Sequence, residues 1–209
     1  MKIAKIVISF TIPFFLLILF ASILTTKPYL MISKNKYDYH DNLEFDYDEA
    51  AEKIMGYLNY RYDDLQYKFE DGSDAFRQTE IDHMVDVKNL YTNLKLAAVG
   101  ALLIGVSLSF YMFKKDKNSL IDTYKNIYIG PIFFIMFVGG YIIIDFGAAF
   151  TAFHKIFFTN DDWQLYSTDT LILMLPTYFW MVSGLIILVL FSLSLGLIHY
   201  FTKKISSKL

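Results

Sequence analysis

The sequence predicts an all-α membrane protein with four transmembrane helices and a small extracellular cap of α+β structure. The 209-residue chain is 55% hydrophobic and 18% aromatic, with positive mean hydropathy. Four apolar runs are long enough to cross a hydrocarbon core of about 30 Å. Lysines gather at three places between and beyond these runs, a distribution typical of multi-span membrane proteins rather than soluble domains.

The four predicted spans are residues 6–24, 94–113, 127–150 and 171–200. The first would reach about 28 Å as a helix. Because no small-x-small cleavage site follows it, it is interpreted as an uncleaved anchor rather than a signal peptide. Lysines lie at the N-terminus, in the loop 114–126 and in the tail 201–209. The positive-inside rule therefore places both termini in the cytoplasm, and the segment 27–93 and the hairpin 151–170 outside.

The segment 27–93 is predicted to be a folded acidic cap that continues into the helix of the second span. It holds fifteen Asp and Glu from Asp38 to Asp86, against seven Lys and Arg from Lys34 to Lys88. Asp46 with Glu49 three positions later predicts a helix start. The helix should run near 47–60 and bury one face, made of Tyr47, Ala51, Ile54 and Leu58. Residues 70–73 predict a turn between short strands.

His83 lies in a helical pattern that begins near Thr79-x-x-Asp82 and runs into the second span. It shares a helix sector with apolar residues, so it should point toward packing. Asp86 lies 60° away, near enough to hydrogen-bond the ring and fix its tautomer. His83 is therefore either a structural histidine at the base of the cap or a functional one, and geometry alone leaves both open.

The hairpin 151–170 carries the second candidate histidine, His154. It is followed by a polar group and a tryptophan at Asn160, Asp161, Asp162, Trp163 and Gln164. A further acid, Asp145, falls inside the third predicted span, where a carboxylate is costly. It is either a functional group or a bundle-facing acid bonded to a neighbouring hydroxyl.

Two histidines on the outer side of the membrane, with no evident nucleophile, limit the classes of reaction that the chain could catalyse. The chain has no cysteine and no G-x-S-x-G motif, so covalent acyl-enzyme catalysis has little support. Paired histidines suit general acid–base catalysis. They could also bind a metal with Asp86 and Asp161 and act as a metal-dependent lipid hydrolase. A non-catalytic lipid-binding membrane protein is the third class that remains open.

Two motifs resemble one known family. The stretch His83-Met-Val-Asp-Val-Lys88 resembles its H-M-x-D-V-K signature, and Phe153-His-x-Ile-Phe-Phe-x-Asn-Asp-x-Trp163 resembles its second signature. Thr168-Asp169 and Leu175-Pro176 extend the match. These features are similar to those of the lipoprotein intramolecular transacylase family, four-span membrane proteins of Gram-positive bacteria. The chain departs from the pattern at Tyr166-Ser167, where an acidic–proline pair is expected.

The resemblance implies a reaction and a set of site residues. The sn-2 acyl group of a diacylated lipoprotein would move to the α-amino group of its own N-terminal cysteine, giving a lyso-form lipoprotein. His83 and His154 would be the catalytic pair. Orientation and substrate binding would fall to a second group: Asp86, Lys88, Phe158, Asn160, Asp161 and Trp163. Asp86 would orient His83, Asn160 would stabilise an oxyanion, and Trp163 would close the pocket floor.

The resemblance and the predicted topology together give the expected substrate, partners and location. The substrate would be a diacylated lipoprotein among membrane lipids, at the outer face of the bacterial plasma membrane. No nucleic-acid partner and no cofactor are expected. No metal is expected either, because only two candidate histidines are in place and a metal site needs three or more ligands.

Overall fold

The structure is a computed structural model that describes residues 1–37, 45–69 and 72–208. The regular secondary structure of the described residues is helical, and these residues form no β-strand. One short 3-10 helix, Ser22–Thr25, follows the first α-helix. In chain order the α-helices are α1 (Lys2–Ala21), α2 (Lys27–Tyr37), α3 (Tyr47–Leu58), α4 (Gln78–Lys115), α5 (Lys117–Lys125), α6 (Ile129–Ile144), α7 (Phe146–Phe157), α8 (Thr170–Met174) and α9 (Thr177–Ser206).

Among the described residues, four stretches are long and apolar enough to cross a membrane, as the sequence predicted. They are Lys2–Thr25, Gln78–Lys115, Lys117–Ile144 and Thr177–Ser206. The second is a single helix of 38 residues, or about 57 Å, nearly twice the hydrocarbon thickness. Its apolar part begins at Leu94, so the polar part from Gln78 to Asn93 precedes the span.

The residues divide into two compact units. The first consists of Met1–Ala21, Asn93–Ala149 and Gly184–Leu209. Its core joins α1 and α9 to the end of α4 and to the turn before α6 through large apolar side chains, and it includes Ile8, Ile12, Met112, Ile127, Phe191 and Leu195. These contacts tie together the apolar helices of the predicted membrane bundle.

The second unit consists of Ser22–Thr92 and Phe150–Ser183. Its core packs α3 against α2, the start of α4 and the residues around α8. The predicted inward face of α3 is confirmed: Tyr47, Ala51, Ile54 and Leu58 are all buried. The predicted helix start is also confirmed, because the Asp46 side chain accepts hydrogen bonds from two backbone N–H groups of the first turn.

The prediction of strands in this unit is wrong for the described residues. A single antiparallel bridge joins Lys68 and Asp74, and the turn between them has Gly72 at φ +85°. One bridge leaves no ladder over which cross-strand pairs could add up, so the described residues of this unit are α-helical and not α+β. Part of the predicted turn, residues 70 and 71, lies outside the described residues, as does His40.

Two of the predicted spans are interrupted. The run 127–150 breaks at Asp145, which ends α6 and whose Oδ1 accepts a 2.9 Å bond from Ala148 N in α7. Aspartate favours such a position because its carboxylate satisfies an N–H that the first helical turn leaves unpaired. The run 171–200 breaks between α8 and α9 at Pro176, because proline has no N–H and disfavours helix at Leu175.

Candidate functional site

The two candidate histidines face each other inside the second unit. Their ring centroids are 5.8 Å apart, with 36° between the ring planes. His83 comes from the polar part of α4 and His154 from the last turn of α7. Both are buried, with 8% and 7% of their surface exposed. The helix sector predicted for His83, pointing toward packing, is therefore correct.

The tautomer of His154 follows from one hydrogen bond. Its Nδ1 lies 2.8 Å from the carbonyl oxygen of Phe150, one turn earlier in α7. Since a carbonyl oxygen only accepts, Nδ1 carries the proton and the neutral ring keeps its lone pair on Nε2. Burial lowers the pKa of His154, and the bond to Phe150 opposes that shift. A neutral His154 therefore presents Nε2 as a proton acceptor.

His83 has no comparable anchor. Its Nδ1 is buried and lacks a hydrogen-bond partner among the described residues. The pKa of His83 is lowered from 6.5 to about 4, mainly by burial and to a smaller extent by the nearby His154, and the Asp86 carboxylate opposes this shift. A buried polar atom left unpaired costs about 1–3 kcal/mol, so this nitrogen is a natural point of contact for a bound substrate.

Aromatic rings enclose the pair. Phe158 contacts both histidines, at centroid distances of 5.2 Å from His83 and 5.6 Å from His154. Trp163 lies 4.9 Å from the His154 ring at 31°. Phe150 packs on the same ring at 4.1 Å. These rings keep water away from the imidazoles, and they offer an apolar lining suited to lipid.

Asp86 does not hydrogen-bond His83, contrary to the sequence-based expectation. Its Oδ2 instead accepts a 2.7 Å bond from the Asn160 side-chain amide. The hairpin brings the Asn160 amide donor to Asp86, whereas Nδ1 of His83 is buried without a partner among the described residues. Asp86 thus acts on His83 through its charge, and one Asn160 N–H is already engaged and unavailable to an oxyanion.

Two other predicted residues lie apart from the histidine contacts. The Lys88 ammonium sits over the rings of Tyr57 and Tyr60, at 3.9 and 4.4 Å. Lys88 is five residues after His83, about 140° around the helix, which accounts for its different surroundings. The Asp161 carboxylate accepts a 2.6 Å bond from Gln164 within the hairpin.

A polar clamp, built on the buried carboxylates of Glu80 and Asp169, joins the start of α4 to the end of the hairpin. The Arg77 guanidinium donates to both carboxylate oxygens of Asp169, at 2.8 and 3.1 Å. Asp169 also accepts from the backbone N–H of Tyr166. The Glu80 carboxylate accepts from Arg77 N and from Leu171 N, each at 2.8 Å. His83 is one turn beyond Glu80, so the clamp fixes the base of the helix that carries it.

Sequence reasoning missed the clamp apart from Asp169, which extended the family motif. A signal existed, because Glu80 at the third position of α4 bonds back to the N–H before the helix, as one half of a capping box. The helix starts at Gln78, one residue before the predicted Thr79. Burial raises the pKa of Glu80, and its two backbone hydrogen bonds oppose that shift.

The part of the chain described by the structure contains no group of three or more His, Cys, Asp or Glu side chains placed to hold a metal ion. The histidine pair has aromatic neighbours, and its acidic neighbour Asp86 is bonded to Asn160. The donor set near the pair is thus two imidazoles, which is fewer than structural or catalytic metal sites use.

Comparison of the sequence with protein-family models identifies one family, described as the lipoprotein intramolecular transacylase Lit, over residues 6–180. No curated protein sequence matches the chain. The matched range includes both histidines and the whole hairpin.

Solved structures give the same answer for the fold. The chain is similar to the in meso structure of the membrane-integral lipoprotein intramolecular transacylase Lit from Bacillus cereus, with a TM-score of 0.83 and 23% identity over 99% of this chain and 96% of the other. A histidine-to-alanine variant of that protein matches with a TM-score of 0.78, at 23% identity over 99% and 94%. At this identity the likeness establishes the fold alone.

Proposed function

The chain belongs to the lipoprotein intramolecular transacylase family, and on that premise we propose that it moves the sn-2 acyl group of a diacylated lipoprotein to the α-amino group of the same molecule. The observation that carries the chemistry is the buried, facing pair of His83 and His154. The product is an N-acylated lyso-form lipoprotein.

The transfer is balanced within one substrate. The amine nitrogen of the terminal cysteine attacks the sn-2 ester carbonyl, so a C–N bond forms and the C–O bond to glycerol breaks. One proton leaves the nitrogen and one reaches the departing glyceryl oxygen. No other reactant is needed.

The geometry favours particular roles for the two rings. His154 carries its proton on Nδ1, so its Nε2 is the base that takes the amine proton. His83, whose Nδ1 has no partner among the described residues, hydrogen-bonds the glyceryl oxygen. The proton that His154 takes from the amine passes to this oxygen through the facing ring of His83 as the C–O bond breaks, so both rings end neutral. The low pKa of both rings keeps them neutral near pH 7, which His154 needs in order to accept a proton.

Much of the rate enhancement must come from positioning. The path from the amine nitrogen through Cα, Cβ, sulfur, two glyceryl carbons and the ester oxygen to the acyl carbon closes an eight-membered ring. Free lipid seldom adopts such a folded conformation, so holding it supplies a large part of the catalysis. The rings of Phe158 and Trp163, packed on the histidines, are suited to this task.

Four further side chains support the histidine pair or bind the substrate: Asp86, Lys88, Asn160 and Asp161. Asn160, bonded to Asp86, positions Trp163 against His154 and has one amide hydrogen left for substrate oxygen. Asp161 shapes the hairpin tip through Gln164. Lys88, held over two tyrosine rings, binds a carbonyl group of the lipoprotein chain.

In the proposed orientation both termini face the cytoplasm, and the histidine pair lies at the outer face of the plasma membrane.

The test is isotopic. Purified full-length protein is given a diacylated lipopeptide with a heavy sn-2 chain, in detergent with unlabelled phospholipid. Mass spectrometry should show a fully heavy N-acyl group and an unchanged total peptide mass. A light N-acyl chain on a heavier, triacylated product would identify an intermolecular transferase, and release of heavy free fatty acid would identify a hydrolase.

A further inference from the structure

The outer surface of α7 carries an apolar stripe that no part of the described chain covers. Phe153, Ile156 and Phe157 are 48%, 74% and 42% exposed. At 100° per residue they fall within about 100° of the helix circumference. His154 lies on the adjoining, buried side. The helix is therefore amphipathic, with its imidazole facing inward and its stripe facing outward.

The helix before α7 indicates where the stripe lies relative to the membrane. The apolar helix α6 has 16 residues and rises about 24 Å, most of a hydrocarbon core of about 30 Å. It ends at Asp145, whose exposed carboxylate caps α7. A carboxylate exposed to hydrocarbon is costly, so Asp145 belongs at the membrane boundary. Helix α7 then begins at that boundary instead of continuing the span.

The segment after α7 is polar and should lie in water, on the other side of the helix from the membrane span. The hairpin beyond Phe158 is polar, with Asn160, Asp161 and Asp162 close together. Exposed Lys155 lies about 150° from the centre of the stripe. An amphipathic helix between an apolar span and a polar hairpin matches the pattern of helices that lie in the membrane interface.

We propose that α7 is an interfacial helix whose Phe153, Ile156 and Phe157 side chains enter the acyl region of the bilayer. This surface seats His154 at the depth where the ester groups of membrane lipids lie. Resting on the proposed function, it also implies that the lipoprotein's glyceryl esters reach the histidines laterally from the bilayer and not from water.

The placement is tested by depth measurement on the full chain. The chain has no cysteine, so a nitroxide can be attached singly at Ile156→Cys, at Phe157→Cys or at the control Lys155→Cys. The protein is reconstituted in vesicles of equal parts phosphatidylglycerol and phosphatidylethanolamine. Positions 156 and 157 should be relaxed by dissolved oxygen and shielded from a water-soluble nickel complex, and position 155 should show the reverse. Relaxation by nickel at 156 and 157, or shielding from both agents by contacting protein, would overturn the proposal.

The consequence for substrate delivery is tested separately. Ile156→Asn should lower turnover of a long-chain lipopeptide in these vesicles about ten-fold, and it should leave turnover of a short-chain, water-soluble lipopeptide unchanged. Lys155→Asn should change neither. Equal losses on both substrates would contradict lateral delivery. If the wild-type protein made no N-acyl product from either substrate, the proposed function would fail, while the depth measurement would still decide the placement of α7.

Discussion

The Asp86 carboxylate accepts a 2.7 Å hydrogen bond from the side-chain amide of Asn160. This bond joins the helix that carries His83 to the hairpin that follows His154. Asn160 also accepts, through its backbone carbonyl, a 3.1 Å bond from the indole N–H of Trp163, and Trp163 packs on His154. A continuous set of contacts therefore leads from Asp86 to the second histidine.

Removing Asn160 should loosen Trp163 without removing either imidazole. Asn160→Ala is expected to lower kcat/KM by about 5–30-fold, equivalent to about 1–2 kcal/mol for a lost charge-assisted hydrogen bond. Because the two side chains bond each other, Asp86→Ala and Asn160→Ala should be non-additive, with a coupling energy of about 0.5–3 kcal/mol in a double-mutant cycle. Asn118→Ala, at an exposed asparagine of α5, is the matched control and should have no effect. Strict additivity would show that the bond plays no part in catalysis.

Each site histidine should be needed for turnover and not for folding. General acid–base groups typically contribute about two to four orders of magnitude, so His83→Ala and His154→Ala should each lower N-acylation at least about 100-fold in assays of folded, purified protein. The control is His199→Ala, because His199 belongs to the other unit, where its Nδ1 bonds the Lys125 carbonyl. Full activity in a folded His83 or His154 variant would remove that residue from the mechanism.

The low pKa of His83 predicts a pH-dependent stability. Above pH 6.5 the ring is neutral in both the folded and the unfolded chain and contributes nothing. Between pH 6.5 and about 4, the unfolded chain binds a proton that the folded chain does not, so the free energy of unfolding falls by up to about 3 kcal/mol. Reversible unfolding in mixed micelles at several pH values measures this. The His83→Asn variant should lose less stability over the same range, and identical slopes would contradict the assignment.

Loss of Arg77 and loss of Asp169, the ion pair of the clamp, should change the free energy of unfolding by different amounts. Asp169 is buried, with 2% of its side chain exposed, whereas 47% of the Arg77 side chain is exposed. Removing the arginine leaves a buried charge without its partner, which costs about 3–5 kcal/mol. Water can still reach the guanidinium when the carboxylate becomes an amide. Arg77→Ala should therefore lower the free energy of unfolding more than Asp169→Asn, and the reverse order would show that Arg77 does not stabilise the clamp.

The four apolar helices were predictable because each apolar run is long enough to cross a hydrocarbon core. The lysines beside these runs then led to one predicted orientation. The sequence also placed His83 on the packed face of its helix, since a 3.6-residue period alone decides that. The start of α3 was predictable for a local reason, the spacing of Asp46 and the acidic residues after it.

What escaped sequence reasoning depends on contacts between distant segments. Asp86 is three residues from His83, and only the folded hairpin reveals that Asn160, 74 residues away, is its actual partner. The bond between Glu80 and Leu171 N spans 91 residues. The break at Asp145 was missed because hydropathy averaged over a span hides one polar residue, even where that residue caps a new helix.

The orientation of the chain in the membrane can be tested at four exposed positions. Ser73 and Ser167 lie in the cap and the hairpin, and Asn118 and Ser207 lie in α5 and after α9. The positive-inside rule predicts that the lysine-rich segments stay on the cytoplasmic side, so an impermeant thiol reagent should label Ser73→Cys and Ser167→Cys in intact cells. It should reach Asn118→Cys and Ser207→Cys only after the membrane is opened. All four are exposed, so a difference in labelling reports sidedness and not burial. Labelling of Asn118→Cys in intact cells would reverse the topology and, with it, the placement of the histidine pair at the outer face.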